Sequence, residues 1–575
     1  MGTVSLNLFP LISGRHRLKI NRVSADHIML KKKSSANMFF RVDQSSEKNC
    51  SALHLCAYNG KNSGVLEKDM VSLNGELNSK VQEGIGIIDF FCGKKLFITG
   101  VTGFLAKVFV EKILRTIPEV DKIFLLIKAR DEEAAMERLM NEIVGTELFK
   151  CLREKHGISY ERFVLAKLVP VVGNMCETNL GIKEDVADLI EKEVDVIIKS
   201  AATTTFDERF DVALDINTRG AAHIVNFAKK CENLKLYVHV STAYASRQRE
   251  GKIMEESFGK GHYVANGAGV NETPFKHVHR LNIGAEIKLA SEMIESSEKN
   301  EIDRNLKDLG LSRAQKHGWP NTYAFTKAMG EMIVEDMKGQ VPVIIIRPSI
   351  VESTLSQPFP GWIEGNRMMD PIVLLYGKGK VPGFFSNPDM ALDVVPVDIV
   401  VNSTLAAIAK HGGKESKQED SNSNDHVYQI TSSVANPLIT RDLADLAYQH
   451  FSVSPCFDRE GNPIQISAFK FFSSIEDLLS DMKSTNSNDE ISPKHELIRR
   501  KSIEHFKYLA NLYKPYTFFD GRFDNNKVEN LLECLSEEER KEFGFNVRSI
   551  DWEDYIVRVH FHGVRKHVMK ETTLK

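Results

Sequence analysis

The chain has 575 residues, 75 Lys and Arg against 78 Asp and Glu, and a formal net charge of −3. That length exceeds one ordinary domain, and the balanced charge gives no bias towards nucleic acid. Eight cysteines scattered without CxxC pairs argue for a reducing compartment and against a zinc site or a disulfide framework. No apolar run is long enough for a bilayer-spanning helix, which leaves peripheral contact as the available mode of membrane association and the oligomeric state open.

The first 80 residues differ from the rest. Up to Ser51 they carry Arg15, Arg17, Lys19, Arg22, Lys31, Lys32, Lys33, Arg41 and Lys48 against Asp26, Asp43 and Glu47, with several serines. This is the composition of an organelle transit peptide without the apolar core of a secretory signal. The alternative is a disordered basic tail with no address.

From Gly84 onward strands alternate with helical patterns. Lys94 to Arg115, KKLFITGVTGFLAKVFVEKILR, reads as strand, glycine turn and helix. Leu96, Phe97 and Ile98 suit a buried parallel strand; Phe104, Leu105, Val108, Phe109 and Leu114 then recur at helical spacing, with Lys107, Glu111, Lys112 and Arg115 between them. Thr99, Gly100, Thr102 and Gly103 form a TGxxGxxA joint with Ala106 in the last position. A dinucleotide needs such a joint, because its pyrophosphate must reach backbone N–H groups at a helix N-terminus. A glycine turn between any strand and helix has the same look.

The second strand, Lys122 to Ile127, ends in Lys128, Ala129 and Arg130. Basic residues at that end suit a ribose 2′-phosphate, so the sequence favours NADPH over NADH. Because Asp131 and Glu132 follow, a solvated loop is the competing explanation. Leu168 to Val172 is a third strand, closed by Gly173 and Asn174 at the adenine edge; Val194 to Ile198 is a fourth, closed by Ser200, Ala201 and Ala202. Leu236 to Val240 is the fifth, and VPVIIIRPS supplies a sixth. The pattern predicts an α/β fold, a Rossmann-type doubly wound parallel sheet with its ligand along the carboxyl ends of the strands. Expected cofactor contacts are Thr99, Gly100, Thr102, Gly103, Phe104, Leu105, Lys128, Arg130, Asn174, Ser200 and Ala202.

The chemistry sits in three places. Ser241 and Thr242 follow the fifth strand, Tyr323 and Lys327 stand four residues apart on one helical face in NTYAFTKAMGEMI, and Asn217 lies in DINTRG. A phenol is a poor acid or base at neutral pH, and an ammonium beside it lowers its pKa; Lys327 can do that and also hold the nicotinamide ribose. Tyr323, Lys327 and Thr242 are the expected catalytic residues.

The segments KIFLLIKAR, SAATTTFDERFDVALDINTRGA, VSTAYA, GWPNTYAFTKAMGEM, VIIIRPSIVES, PFPGWIEGNRMMDPI and LDVVPVDIVVN, together with the glycine-turn stretch, give the chain a resemblance that runs from about Gly84 almost to its end. It resembles the fatty acyl-CoA reductases, extended short-chain dehydrogenase/reductases, and looks most like their plastid male-sterility-type branch in plants. The resemblance implies reduction of a fatty acyl thioester to a primary alcohol by NADPH with a Tyr-Lys pair matching Tyr323 and Lys327; Thr242 is the less secure hydroxyl partner. It implies a plastid location, and coenzyme A or acyl carrier protein as the thioester donor. One departure stands out: Thr203 in SAATTTF replaces the asparagine expected there, which puts a cofactor-side or substrate-side contact in doubt.

The mechanism this implies has Tyr323 and Thr242 stabilise charge on the thioester oxygen as hydride arrives, collapse of a hemithioacetal to thiol and aldehyde, and a second reduction with Tyr323 as proton donor. Two other classes remain. One is a sugar-nucleotide epimerase or dehydratase recycling bound NAD, which Lys128 and Arg130 disfavour. The other is a binding protein on a catalytically dead scaffold, which the intact Tyr-Lys pair disfavours.

The rest is expected as follows. Ser246 to Trp319 is a long insertion, either a helical lid on the acyl side or a surface decoration. Pro358 to Trp362 lies near a nicotinamide or an acyl tunnel, with Trp362 as core the alternative. Gly412 to Asp425 is a polar link and Lys483 to Lys494 a second polar break. Residues 84–435 form the NADPH-binding reductase domain, and 436–575 a smaller, mostly helical carboxy-terminal domain with FDGRFDNNKVENLL as its most distinctive piece. His560, His562 and His567 lack carboxylate or cysteine partners at ligand spacing, so no metal is expected there. With Arg558, Arg565 and Lys566 they read as a basic surface suited to an acidic carrier protein or to coenzyme A phosphates.

Overall fold

The computed structural model describes residues 83–247, 250–258, 281–413, 426–484 and 493–571. The transit-like tail, the tip of the 246–319 insertion and most of the two polar links lie outside the described residues. The described residues belong to one compact unit from Ser79 to Lys575.

Seven parallel strands form the central sheet: β1 Lys95–Thr99, β2 Lys122–Ile127, β3 Leu168–Val172, β4 Val196–Lys199, β5 Leu236–Val240, β6 Val343–Pro348 and β7 Val427–Ile430. Their order is β7-β6-β5-β4-β1-β2-β3. The order in which successive strands are added reverses between β1 and β4, opening the crevice where ligands bind in such sheets. β1, β2, β4 and β5 are buried almost throughout, as expected for strands covered on both faces. β4 starts and ends one to two residues later than its apolar run suggests and finishes on a buried lysine, Lys199. VYQIT, read as a strand resuming after the polar link, supplies β7.

The helices that matter here are α1 Phe104–Thr116, α2 Glu132–Leu139, α3 Ile283–Ser296, α4 Ile302–Lys316, α5 Thr322–Met337, α6 Val397–Gly412 and α7 Pro493–Thr517. α1 is buried nearly all round. Its charged side chains face protein and not water: Lys107 Nζ meets Glu364 Oε1 at 2.6 Å, Lys112 Nζ meets Glu542 Oε1 at 3.0 Å, and Glu111 accepts from Arg115 at 3.0 Å. Burial pushes Glu111 up to about 7 and Lys112 down to about 8. A helix with this pattern normally keeps one face wet; here the 357–364 segment and the carboxy-terminal Glu542 cover that face.

α5 starts on Asn321, whose side chain accepts from Ala324 N at 2.9 Å. Gly330 lets it close on the preceding segment, since a Cβ there would stand 2.4 Å from the Asn217 carbonyl oxygen. β6 ties to it through Arg347 and Glu331, 1% and 0% exposed, joined by a forked pair with a shortest distance of 2.6 Å. α3 and α4 pack Ala290, Leu306 and Ala314 into a cluster with Phe325, Ala328 and Met329 of α5. The described part of the insertion is therefore a buttress behind α5, and the expectation of a lid fails for it.

The carboxy-terminal region is woven into the rest. Gly521–Phe523 pairs in parallel with Gly251–Ile253, and Lys470–Phe472 with Gly383–Phe385. Trp362 is core, 4% exposed and stacked on Phe104 with ring centroids 5.3 Å apart. The expected basic surface near the end is divided: Arg558 and Lys566 are exposed, paired with Asp554 and Glu147, whereas His560 and Arg565 are turned inward. His560 is 0% and Arg565 3% exposed, with Arg565 donating to the Ser454 carbonyl at 2.6 Å and to Glu571 at 2.6 Å. These residues line one helical face turned inward, which their interleaving in sequence concealed.

Candidate active site

A cavity of about 910 Å³ runs along the carboxyl ends of β1 to β6. One end is built by the glycine turn. Gly100 has φ +78°, and a Cβ there would stand 2.6 Å from the Ala201 backbone, so the loop after β1 and the loop after β4 meet only because Gly100 has no side chain. Thr99 Oγ1 accepts from Ala201 N at 3.2 Å and Gly103 N donates to Gly100 O at 2.9 Å, fixing the turn. Thr102, Gly103, Phe104 and Leu105 then open α1 on the cavity wall, with Asn174, Ser200 and Ala202 across from them. The cradle is free of side chains beside a helix N-terminus, and this suits a dinucleotide pyrophosphate.

At the end of β2 the basic residues separate. Lys128 lines the cavity. Arg130 is turned to solvent, 81% exposed, and pairs with Asp131 at 3.0 Å. Another cavity-lining cation is Arg138 of α2, held by Glu142 at 2.7 Å and by the Lys128 carbonyl at 2.7 Å. Arg138 went unnoticed in the sequence because it lies eleven residues beyond the strand end, and only the turn of α2 brings it back.

The candidate reacting groups gather at the other end. Thr242, 4% exposed, caps the short turn after β5 by accepting from Tyr244 N at 3.3 Å, and its hydroxyl neighbours the Tyr323 phenol. Lys327 is 2% exposed and donates from Nζ to the Val240 carbonyl at 2.6 Å. Burial pushes Tyr323 up to about 12, opposed by the neighbouring Thr242 hydroxyl, and pushes Lys327 down to about 8, opposed by Glu331. The phenol is thus raised where the sequence argument expected an ammonium to lower it. The reason is physical: the site is dry, and Lys327 spends a hydrogen bond on the strand end.

Asn217 stands behind these groups. Fully buried, it clamps Thr203 through its backbone N and O, each at 3.1 Å, and donates to Thr326 Oγ1 at 3.0 Å. It holds the loop after β4 onto α5. The Thr203 side chain bonds to Glu208 at 3.3 Å, while Thr204 and Thr205 line the cavity.

Two groups beneath the floor had no sequence signal. Lys199 is fully buried with no hydrogen-bond partner for Nζ, and burial with Lys327 nearby pushes it well below its usual range. His239, its register partner on β5, is likewise buried and pushed down, and bonds through Nδ1 with the Tyr237 hydroxyl at 3.2 Å.

The remaining wall is aromatic and comes from α7. Tyr508, Tyr513 and Tyr516 line the cavity; Tyr516 stacks on Phe206 at 5.1 Å and accepts from Asn321 Nδ2 at 2.6 Å, and Phe206 stacks on Tyr323 at 6.0 Å. Beyond Phe206, Met368, Tyr513 and Tyr516 the cavity continues into an apolar cleft of about 90 Å³ lined by Ile372, Val373, Phe384 and Leu443.

Two family models, each described as Male sterility protein, match residues 98–404 and 494–571. Fatty acyl-CoA reductase 2, chloroplastic, of Arabidopsis thaliana is 51% identical over 520 residues, 88% of this chain and 83% of that protein. The alcohol-forming fatty acyl-CoA reductase of Simmondsia chinensis is 37% identical over 85% of this chain and all of that one. Among solved structures, the terminal R domain from the myxalamid PKS-NRPS biosynthetic pathway superposes with a TM-score of 0.51 at 16% identity, covering 82% of this chain and 90% of that one, a likeness of fold.

Proposed function

This chain belongs to the fatty acyl-CoA reductase family, and from that premise we propose that it reduces a long-chain fatty acyl thioester to a primary alcohol through an aldehyde, with NADPH as reductant. The observation that carries the reading is the Tyr323–Thr242 hydroxyl pair, backed by Lys327, in a cavity with a dinucleotide cradle at one end and an apolar cleft at the other. The nicotinamide, when bound, supplies hydride. Thr242 and Tyr323 hold the carbonyl oxygen and meet the charge that develops on it. A phenol at about 12 is protonated at neutral pH, the form that can give a proton to an alkoxide. Lys327 anchors the ribose side and keeps a positive charge below Tyr323.

Lys128 and Arg138 support the choice of NADPH, as two cations at the end of β2 can share a 2′-phosphate. On this reading residues 84–435 carry the cofactor and the reacting groups, and residues 436–575 supply the acyl wall through Tyr508, Tyr513 and Tyr516. The basic tail and the chloroplastic relative support a plastid location, where acyl carrier protein is the natural donor. The family description as Male sterility protein supports a product destined for lipid, wax or pollen-wall precursors.

The test incubates the full chain with palmitoyl carrier protein or palmitoyl coenzyme A and either NADPH or NADH. Two NADPH consumed per thioester, with a C16 alcohol as product, is the expected result. Oxidation of NADH at equal efficiency removes the cofactor assignment, and absence of any lipid product on both donors removes the activity.

A further inference from the structure

Away from the cavity floor, two carboxylates 18 residues apart and a histidine from the carboxy-terminal region converge in the interior. Glu352 ends the short strand Ile350–Glu352, Asp370 opens the helix Asp370–Gly377, and His560 lies in the carboxy-terminal stretch Asp554–His560. They are 0%, 1% and 0% exposed. One ligand atom from each lies within 4.8 Å of the other two.

The arrangement around them is that of a coordination shell. His560 Nδ1 meets Ser353 Oγ at 3.1 Å, and Ser353 is itself fixed by the Tyr555 hydroxyl, which donates to the Ser353 carbonyl at 2.8 Å. That contact fixes the ring and turns Nε2 towards the carboxylates, 2.9 Å from Asp370 Oδ1. Metal-ligating histidines are oriented in this way by a partner on the other ring nitrogen. Both Glu352 oxygens and Asp370 Oδ2 are buried without a hydrogen-bond partner. The Met369 N–H is directed at the Glu352 carboxyl but falls outside hydrogen-bond geometry. The nearest cation, Arg367, lies over the Phe104 ring at 4.9 Å and makes no bond to either carboxylate. Buried carboxylates without partners are costly, and a bound cation satisfies both at once.

We propose that Glu352, Asp370 and His560 bind a divalent transition-metal ion, zinc by the chemistry of one imidazole and two carboxylates. The ion is structural. It pins the carboxy-terminal helices to the strand end and to the Arg367–Met369 segment that walls the cavity. No local pattern announces it, since His560 meets a carboxylate 190 residues away.

The test measures metal content of the unmodified full chain by mass spectrometry after removal of loose ions, then zinc titration of chelator-treated protein. One zinc per chain, and a rise in thermal midpoint when zinc is returned, is the expected result. Glu352→Gln and His560→Gln should lower zinc affinity by roughly 100-fold, and Ser353→Ala by roughly 10-fold, as orienting partners do. Should these variants not fold, cobalt substitution in the unmodified chain serves instead: a visible d–d band from bound cobalt supports the site, and its absence overturns it. Retention of the same zinc content in folded Glu352→Gln and His560→Gln also overturns it, as does failure of the unmodified chain to take up zinc, which leaves the two carboxyls sharing a proton.

Discussion

Replacing Lys327 by Met should make the protein more stable while destroying its activity. Lys327 is 2% exposed, and burial holds it down from 10.5 to about 8. At neutral pH the folded protein therefore carries an ammonium that the unfolded chain would hold more comfortably, a penalty of roughly 3 kcal/mol at about 1.4 kcal/mol per pKa unit. Loss of its 2.6 Å bond to the Val240 carbonyl returns about 1 kcal/mol, leaving a net gain of roughly 2 kcal/mol for a methionine of similar shape. The sign with pH follows from linkage. Between about 8 and 10.5 the unfolded state binds more protons than the folded one, so the wild type gains stability from this group as pH rises, and the advantage of Lys327→Met shrinks. Urea unfolding of both proteins at pH 7, 8.5 and 9.5 checks this. A variant less stable than wild type at pH 7, or a difference that does not change with pH, would refute the reasoning.

Two further outcomes follow from the same geometry. Gly100→Ala should weaken nicotinamide cofactor binding at least about tenfold by calorimetry, because φ +78° alone costs a side chain roughly 1–2 kcal/mol and its Cβ would also strike the Ala201 backbone; unchanged affinity would mean that the cradle is elsewhere. Arg347→Met leaves Glu331 buried and unpaired, a loss of about 3–5 kcal/mol by chemical denaturation, whereas Arg347→Met with Glu331→Gln should recover most of it. An additive double variant would show that the pair is not a coupled unit.

The sequence exposed whatever depends on short-range pattern. β1, β2, β3 and β5 were legible as apolar runs closed by small or polar residues, and the Gly100 turn as the joint between a two-residue and a helical period. Four-residue spacing placed Tyr323 and Lys327 on one face of α5. What stayed hidden is carried by contacts between distant segments. The charges on α1 look solvent-facing until Gln357, Glu364 and the carboxy-terminal Glu542 cover them. Arg565 and His560 look like a basic surface until their helix turns inward. The aromatic wall from α7 and the buried Lys199 carry no local signature, and the direction of the Tyr323 shift depends on how dry the site is, which residue spacing does not report.

The central claim is that Tyr323 gives the proton in a nicotinamide-dependent reduction, and Tyr323→Phe tests it most directly. Removing one oxygen leaves the cradle around Gly100 and the stacking on Phe206 untouched. The account predicts cofactor affinity within about twofold of wild type and fatty alcohol formation reduced by at least about a thousandfold, the scale set by loss of a positioned acid together with an oxyanion contact. Alcohol formation retained at a comparable rate in this variant would contradict it.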